Sequence, residues 1–317
     1  MNKKLIALAI ATVVSAPAMA ATSNVDVYGL FTVGVDNVTN GSGVNGNHDT
    51  TRVGRMSDYA SRIGFKGAED LGNGLSATWQ IEQAFVADGG NGAAFGGGGL
   101  RTTYAGLKSN DMGEVRIGRM DTPYKLSTGR LDPFGDTLGD YNNVIGAANG
   151  VSAGKYYDQR NSNSIAYLTP NFSGFSAAAA YQFGAETATT GSASTGKQYS
   201  LAAMYSAGPM YLTAAYQRST FGSAGTGDLA GTGTYNKAWK LGAAYSIMDF
   251  TLGALYEKSD DDMGAKGVNL LGHSAWFLSG KYQMGAIALK ASYGKANSTD
   301  VADTGAKISC LLFHRVD

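Results

Sequence analysis

The segment Phe250-Thr251-Leu252-Gly253-Ala254-Leu255-Tyr256 decides the fold. Phe250, Leu252, Ala254 and Tyr256 stand at every second position, so in a strand they share one face, with a ring at each end and aliphatic residues between. The layout recurs in Phe175 and Tyr181, Tyr199 and Tyr205, Trp239 and Tyr245, and Trp276 and Tyr282, always six residues apart. At about 3.4 Å per residue and a tilt near 40°, six residues rise roughly 16 Å, which suits rings near opposite edges of a lipid band about 25 Å tall. A soluble β-sandwich also alternates, but its core is filled by bulky branched side chains. Here the intervening positions are often Ala, Gly or Ser. The expected fold is all-β, a transmembrane antiparallel β-barrel.

Period-two alternation extends along nearly the whole chain. It gives strands near 25–36, 58–67, 75–86, 101–108, 113–119, 156–168, 174–183, 197–206, 209–219, 235–246, 249–258, 273–283 and 286–295, and a fourteenth beginning near Thr304. Short connections such as Ala68 to Gly74 and Ala207 to Pro209 alternate with long polar ones such as Asn40 to Thr51 and Gly222 to Thr234, as when one rim of a barrel carries turns and the other loops. Composition agrees: 45 glycines and 5 prolines in 317 residues, 16% charged, and 18 Tyr against 12 Phe.

Residues 1–20 read as a secretory signal peptide. Lys3 and Lys4 precede the apolar run Leu5 to Val14, and Ala18-Met19-Ala20 forms a small-x-small cleavage site. Removing Lys3 and Lys4 takes 25 basic residues to 23 against 25 acidic, so no basic excess points to nucleic acid. The lone Cys310 allows no internal disulfide. His48, His273 and His314 lack metal-ligand spacing, and neither a nucleophile elbow nor a phosphate loop occurs; no enzyme activity and no cofactor are expected.

The long connection from Asp121 to Ala153 lacks alternation, and loops of more than about fifteen residues are usually functional or disordered. It carries Asp132, Asp136 and Asp140 with Phe134 and Tyr141, enough apolar content to pack inside the barrel. On the wall, Ile63 and Phe65 face lipid, so Arg62 and Lys66 face the lumen; likewise Val115 and Ile117 leave Glu114 and Arg116 inside. Arg101 shares the inward face with Thr103. Opposed charges across a narrow aqueous gap set up a transverse field that orients polar solutes.

Ser61-Arg62-Ile63-Gly64-Phe65-Lys66-Gly67, Glu69-Asp70-Leu71-Gly72-Asn73-Gly74, Tyr104-Ala105-Gly106-Leu107, Gly113-Glu114-Val115-Arg116-Ile117-Gly118-Arg119 and Arg160-Asn161-Ser162-Asn163-Ser164-Ile165-Ala166-Tyr167 occur in this order. In them the chain resembles the trimeric general-diffusion porins, in particular their beta-proteobacterial and neisserial branch. The resemblance implies a sixteen-stranded barrel over 21–317, an inward-folded constriction loop at about 121–154, and a homotrimer. It implies a Gram-negative outer-membrane location amid lipid and lipopolysaccharide, insertion by the barrel-assembly machinery, and passive diffusion of small hydrophilic solutes and ions. The resemblance implies a constriction with Arg62, Arg101 and Lys155 on the basic wall and Asp132 and Asp136 in the acidic loop; strand parity adds Arg116 to the wall and the loop's composition adds Asp140 to the acids. A substrate-specific channel and a non-transporting barrel used for adhesion or structure stay open as alternatives. The tail Cys310-Leu311-Leu312-Phe313-His314-Arg315-Val316-Asp317 departs from the pattern, being neither alternating nor aromatic-terminated. The last two to three strands are therefore expected to be missing or scrambled and the barrel to close poorly.

Overall fold

The structure is a computed structural model that describes residues 24–39, 52–88, 99–137, 139–146, 157–184, 197–220, 235–261, 272–297 and 307–315. The proposed signal peptide and Lys155 lie outside the described residues. The strands are β1 Asn24–Leu30, β2 Val33–Thr39, β3 Arg52–Asp58, β4 Arg62–Gly72, β5 Leu75–Ala84, β6 Leu100–Ser109, β7 Gly113–Asp121 and β8 Arg160–Leu168. They continue with β9 Phe175–Gln182, β10 Lys197–Ala207, β11 Met210–Thr220, β12 Tyr235–Ile247, β13 Phe250–Asp261, β14 Ser274–Met284, β15 Ile287–Ala296 and β16 Lys307–Arg315.

Fourteen of them form one antiparallel sheet in the order β1-β4-β5 and then sequentially to β16, while β2 and β3 pair separately. The small sheet continues the first hairpin: Leu30 pairs with Arg62 at the end of the β1–β4 ladder, and Val33 with Asp58 where β2–β3 begins. The break between them is held by Tyr59 N–H donating to Thr32 O at 2.9 Å and Thr32 N–H to Ser61 Oγ at 3.0 Å. The expected single strand 25–36 is thus two.

A second difference lies at Ala68 to Gly74. Alternation stops there, yet β4 runs on to Gly72, because its backbone pairs with β5 through Glu69↔Ala77 and Asp70↔Ser76 before a bulge. The turn itself is Asn73-Gly74, both at positive φ (52° and 74°), as a two-residue hairpin requires. The tail shows the same principle. Lys307–Arg315 does not alternate, but all nine residues pair with β15, from Lys295↔Lys307 to Ile287↔Arg315, since ladder bonds are made by backbone groups. Among the described residues β1 and β16 are the two ends of the sheet and do not pair with each other.

The outer face is apolar and exposed: Leu252 is 59% accessible and Leu241 52%. The paired aromatics form two belts on it. Toward the long loops, Tyr199 packs near Tyr216, Trp239 near Tyr256 and Trp276 near Tyr293, with ring centroids 5.3 to 6.4 Å apart. Toward the short turns, Phe175 meets Tyr205 at 4.3 Å and Phe250 stacks on Tyr282 at 4.2 Å. Rings with one apolar and one wet edge settle at such membrane interfaces.

On the inner face Lys240 and Glu257 are 0% accessible, so something covers them. The cover is the connection between β7 and β8. Its short helix α1 (Pro123–Leu126) starts from the N-cap Thr122, and 3-10 turns follow at Gly129–Leu131 and Tyr141–Asn143. The hydrophobic core lies between this loop and the wall. Leu131, Tyr141, Val144 and Ile145 pack on Tyr211, Leu255, Ala275, Phe277 and Ala296, and Tyr124 and Tyr157 on Ala202, Ala215 and Ala238.

Candidate functional site: a charged gap between wall and loop

Two inner-face glycines make the seat on which the loop lies. A Cβ on Gly242 would stand 2.4 Å from Leu131 Cδ1, and one on Gly294 would stand 2.9 Å from Val144 Cγ2. A glycine inside a strand often marks such a close approach.

Polar anchors then fix the loop. Tyr124 N–H donates to Ser200 Oγ of β10 at 2.8 Å, Tyr211 Oη of β11 donates to Ser127 O at 2.6 Å, and Ser279 Oγ of β14 donates to Leu131 O at 2.8 Å. Glu257 accepts from Tyr124 Oη at 2.7 Å and from Gly146 N–H at 2.8 Å. Lys240 forms an ion pair with Asp158, over the face of the Tyr124 ring at 4.1 Å. Asp158 also accepts from Tyr141 Oη at 2.5 Å and Asn142 Nδ2 at 2.8 Å. These charges are fully buried, and each is matched by opposite charge or donors, as burial requires. Burial, reinforced by the Glu257 and Asp158 carboxylates, holds the Tyr124 hydroxyl well above the ordinary phenol range.

Pinned this way, the loop presents its acids across a cavity of about 510 Å³. Asp132, Asp136 and Asp140 line it from the loop; Arg101, Arg160 and Lys125 line it with them. Arg62 closes one side by donating from Nη1 to Asp136 Oδ2 at 2.7 Å. Asp140 caps its own 3-10 turn, accepting from Asn142 N–H at 2.7 Å, and also accepts from Asp136 N–H at 3.3 Å. Asp132 accepts from Phe134 N–H at 2.9 Å and Tyr141 N–H at 3.0 Å. Burial outweighs these two bonds and pushes its carboxyl up to about 6.

The structure thus brings Arg62, Arg101, Asp132, Asp136 and Asp140 together. Arg116 stands elsewhere: it is held at 2.8 Å by Glu114, stacks on Tyr104 at 4.3 Å, and lines a different cavity with Gln80 and Thr102.

Four charged residues with no part in the site on the sequence reading stand in or behind the gap. Glu82 is buried behind it and accepts from Arg101 Nε at 2.6 Å and Tyr28 Oη at 2.9 Å, with Arg62 Nε 3.9 Å away. Its position opposite the outward Ile81 was the available signal. Arg160 donates to Thr102 Oγ1 at 3.0 Å and pairs with Asp121 at 3.1 Å, and Asp121 also holds Lys125 at 3.4 Å.

A membrane-facing outer surface, a polar inner surface and a loop laid across the lumen with carboxylates opposite guanidinium groups define a pore-type β-barrel. A sequence profile described as Gram-negative porin matches residues 7–309, and the chain belongs to that family. Among curated relatives, it is 33% identical over 184 residues to major outer membrane protein P.IB of Neisseria gonorrhoeae, covering 57% of this chain and 48% of that protein. It is 34% identical over 195 residues to major outer membrane protein P.IA of Neisseria meningitidis serogroup B strain MC58, covering 56% and 45%. The chain spans about half the length of these relatives. The anion-selective porin from Comamonas acidovorans has the same fold, with a TM-score of 0.73, 24% identity, and 92% of this chain and 83% of that one covered. Salmonella typhi OmpF, solved in complex with daunomycin, superposes with a TM-score of 0.63 at 20% identity over 89% and 82%. Family and relatives place the chain in the Gram-negative outer membrane.

Proposed function

We propose that the protein is a water-filled channel for passive diffusion of small hydrophilic solutes and ions across the outer membrane, assembled as a homotrimer. The observation that supports this most directly is the gap itself. Asp132, Asp136 and Asp140 on an inward-lying loop share one cavity with Arg101, Arg160 and Lys125, and Arg62 borders it. In this reading the loop at about 121–154 is the constriction, its carboxylates and the wall cations set a transverse field, and solutes cross it with their dipoles aligned. Glu82 sets how much of the arginine charge the lumen feels. Arg116 adds to the basic wall outside the gap, and Lys155 is assigned to the basic wall on the family resemblance alone. This reading gives no residue a catalytic role.

The test is current across a planar bilayer containing the full chain purified from outer membranes. Stepwise conductance in groups of three is expected, with a KCl-gradient reversal potential that moves toward cation preference in Arg101→Gln and toward anion preference in Asp136→Asn. A folded protein that inserts without conducting would overturn the reading.

A further inference from the structure

Asp132 lines a second cavity on the side of the loop nearer the short turns. This one holds about 280 Å³, roughly nine waters at about 30 Å³ each. Arg130 and Pro133 border it from the loop, and Thr251, Lys281 and Lys290 from strands β13, β14 and β15. Its charge balance is unlike that of the gap. Arg130, Lys281 and Lys290 bring three cations and Asp132 the one carboxylate. Among the described residues no ion pair engages any of the three.

Two features show that these cations are held in place rather than scattered. Lys281 and Lys290 are direct partners across the β14–β15 ladder, both on the inner face. Like charges directly opposite each other destabilise a sheet, and the arrangement is relieved when an anion sits between them. The guanidinium carbon of Arg130 stands over the Tyr211 ring, 4.1 Å from its centroid. Stacking occupies the face of the guanidinium and leaves its edge donors to form paired bonds to an oxyanion.

We propose that Arg130, Lys281 and Lys290 form a binding site for a small oxyanion of more than one negative charge, a phosphate monoester or inorganic phosphate, on the short-turn side of the constriction loop. Three cations against one carboxylate leave two positive charges, matching a dianion. Phosphate pores elsewhere use rings of Arg and Lys in the same way. A solute leaving the gap would be held here before release, so the site turns a general passage into one that retains phosphorylated solutes. The proposal rests on the lumen being open to water, as the channel reading requires.

Equilibrium dialysis with radiolabelled inorganic phosphate, on the folded full chain in detergent at low ionic strength, measures the site without requiring conduction. Saturable binding of one phosphate per chain is expected. Lys281→Gln/Lys290→Gln should weaken it by about tenfold or more, the scale of losing charge-assisted bonds, while Lys281→Arg/Lys290→Arg keeps it. A heat-modifiable gel shift verifies that each variant is folded. No saturable binding to the unaltered chain, or equal affinity in the charge-removing variant, overturns the site. Binding in a protein that does not conduct would uphold it and sink the channel reading alone.

Discussion

Asp132 sits at the partition between the two cavities, and its ionisation changes both. Its carboxyl titrates at about 6 in the folded chain because burial disfavours the charged form more than its two backbone donors favour it. The fold therefore binds the protonated form more tightly. The stability this gives is fully present below the usual aspartate range and is lost as pH rises through about 6. The electrical consequence has the same direction. Between pH 7.5 and 5 the gap loses one of its three loop carboxylates, so the reversal potential should move toward chloride. Asp132→Asn should show at pH 7.5 the value the unaltered chain reaches at pH 5, and an undiminished pH shift in that variant would refute the assignment. Much at this scale was readable beforehand. Parity placed Arg62 inward, and the missing alternation isolated Asp132, Asp136 and Asp140. For Arg101 parity gave the right side for the wrong reason: Thr103, expected to share its face, pairs with the outward Ile81, and a bulge between Ile81 and Gln83 turns Arg101 to Glu82. Glu82 escaped because a single inward carboxylate looks the same whether it faces water or two arginines on neighbouring strands. Lys240 and Glu257 escaped for a related reason: alternation reports which face a side chain takes, and says nothing of what lies against that face.

Strands were legible where one face meets lipid, because membrane and lumen impose opposite chemistry on successive residues. Their ends were less so. β4 outruns its alternation by several residues through Glu69 and Asp70, where the backbone ladder alone carries it. The loop was recognisable as an element, but its seat was not, since that seat is made of absent side chains at Gly242 and Gly294 and of hydrogen-bond partners 76 to 148 residues away. The seat can be tested directly. Gly294→Val places a Cβ 2.9 Å from Val144 Cγ2 and 3.0 Å from Phe277 Cδ2, so Val144 has to leave the wall. Tyr124→Phe leaves the buried Glu257 carboxylate short of a donor, at a cost of about 1–3 kcal/mol. Both variants should keep the strand signature in circular dichroism yet become susceptible to trypsin after Lys125 and Arg130. Resistance equal to that of the parent chain would show that the loop is held by other means.

Across the whole molecule, the sheet has fourteen strands and, among the described residues, two unjoined ends. Each end leaves a row of backbone groups without ladder partners, which lipid does not satisfy. The unjoined ends agree with the expectation of poor closure, but the non-alternating tail on which it rested extends the sheet by one strand. Something other than closure has to account for the curl. Asp136 reaches Arg62 on β4, and five residues earlier the carbonyl of Leu131 accepts from Ser279 on β14. Those strands are ten places apart in the sheet order, about 48 Å of wall if laid flat. Five residues of extended chain span at most about 18 Å, and the two side chains do not supply the difference. The loop is thus a chord drawn across an arc, and its fixed length sets how far the arc can open. Excising residues 123–158 and joining the ends with a short Gly-Ser linker should abolish the compact form in heat-modifiable gel mobility. A compact product with a wider pore would mean that the wall keeps its own curvature. With the chord in place, the loop proposed to narrow the lumen also limits how far the wall opens, and any variant that slackens it alters bore and girth together.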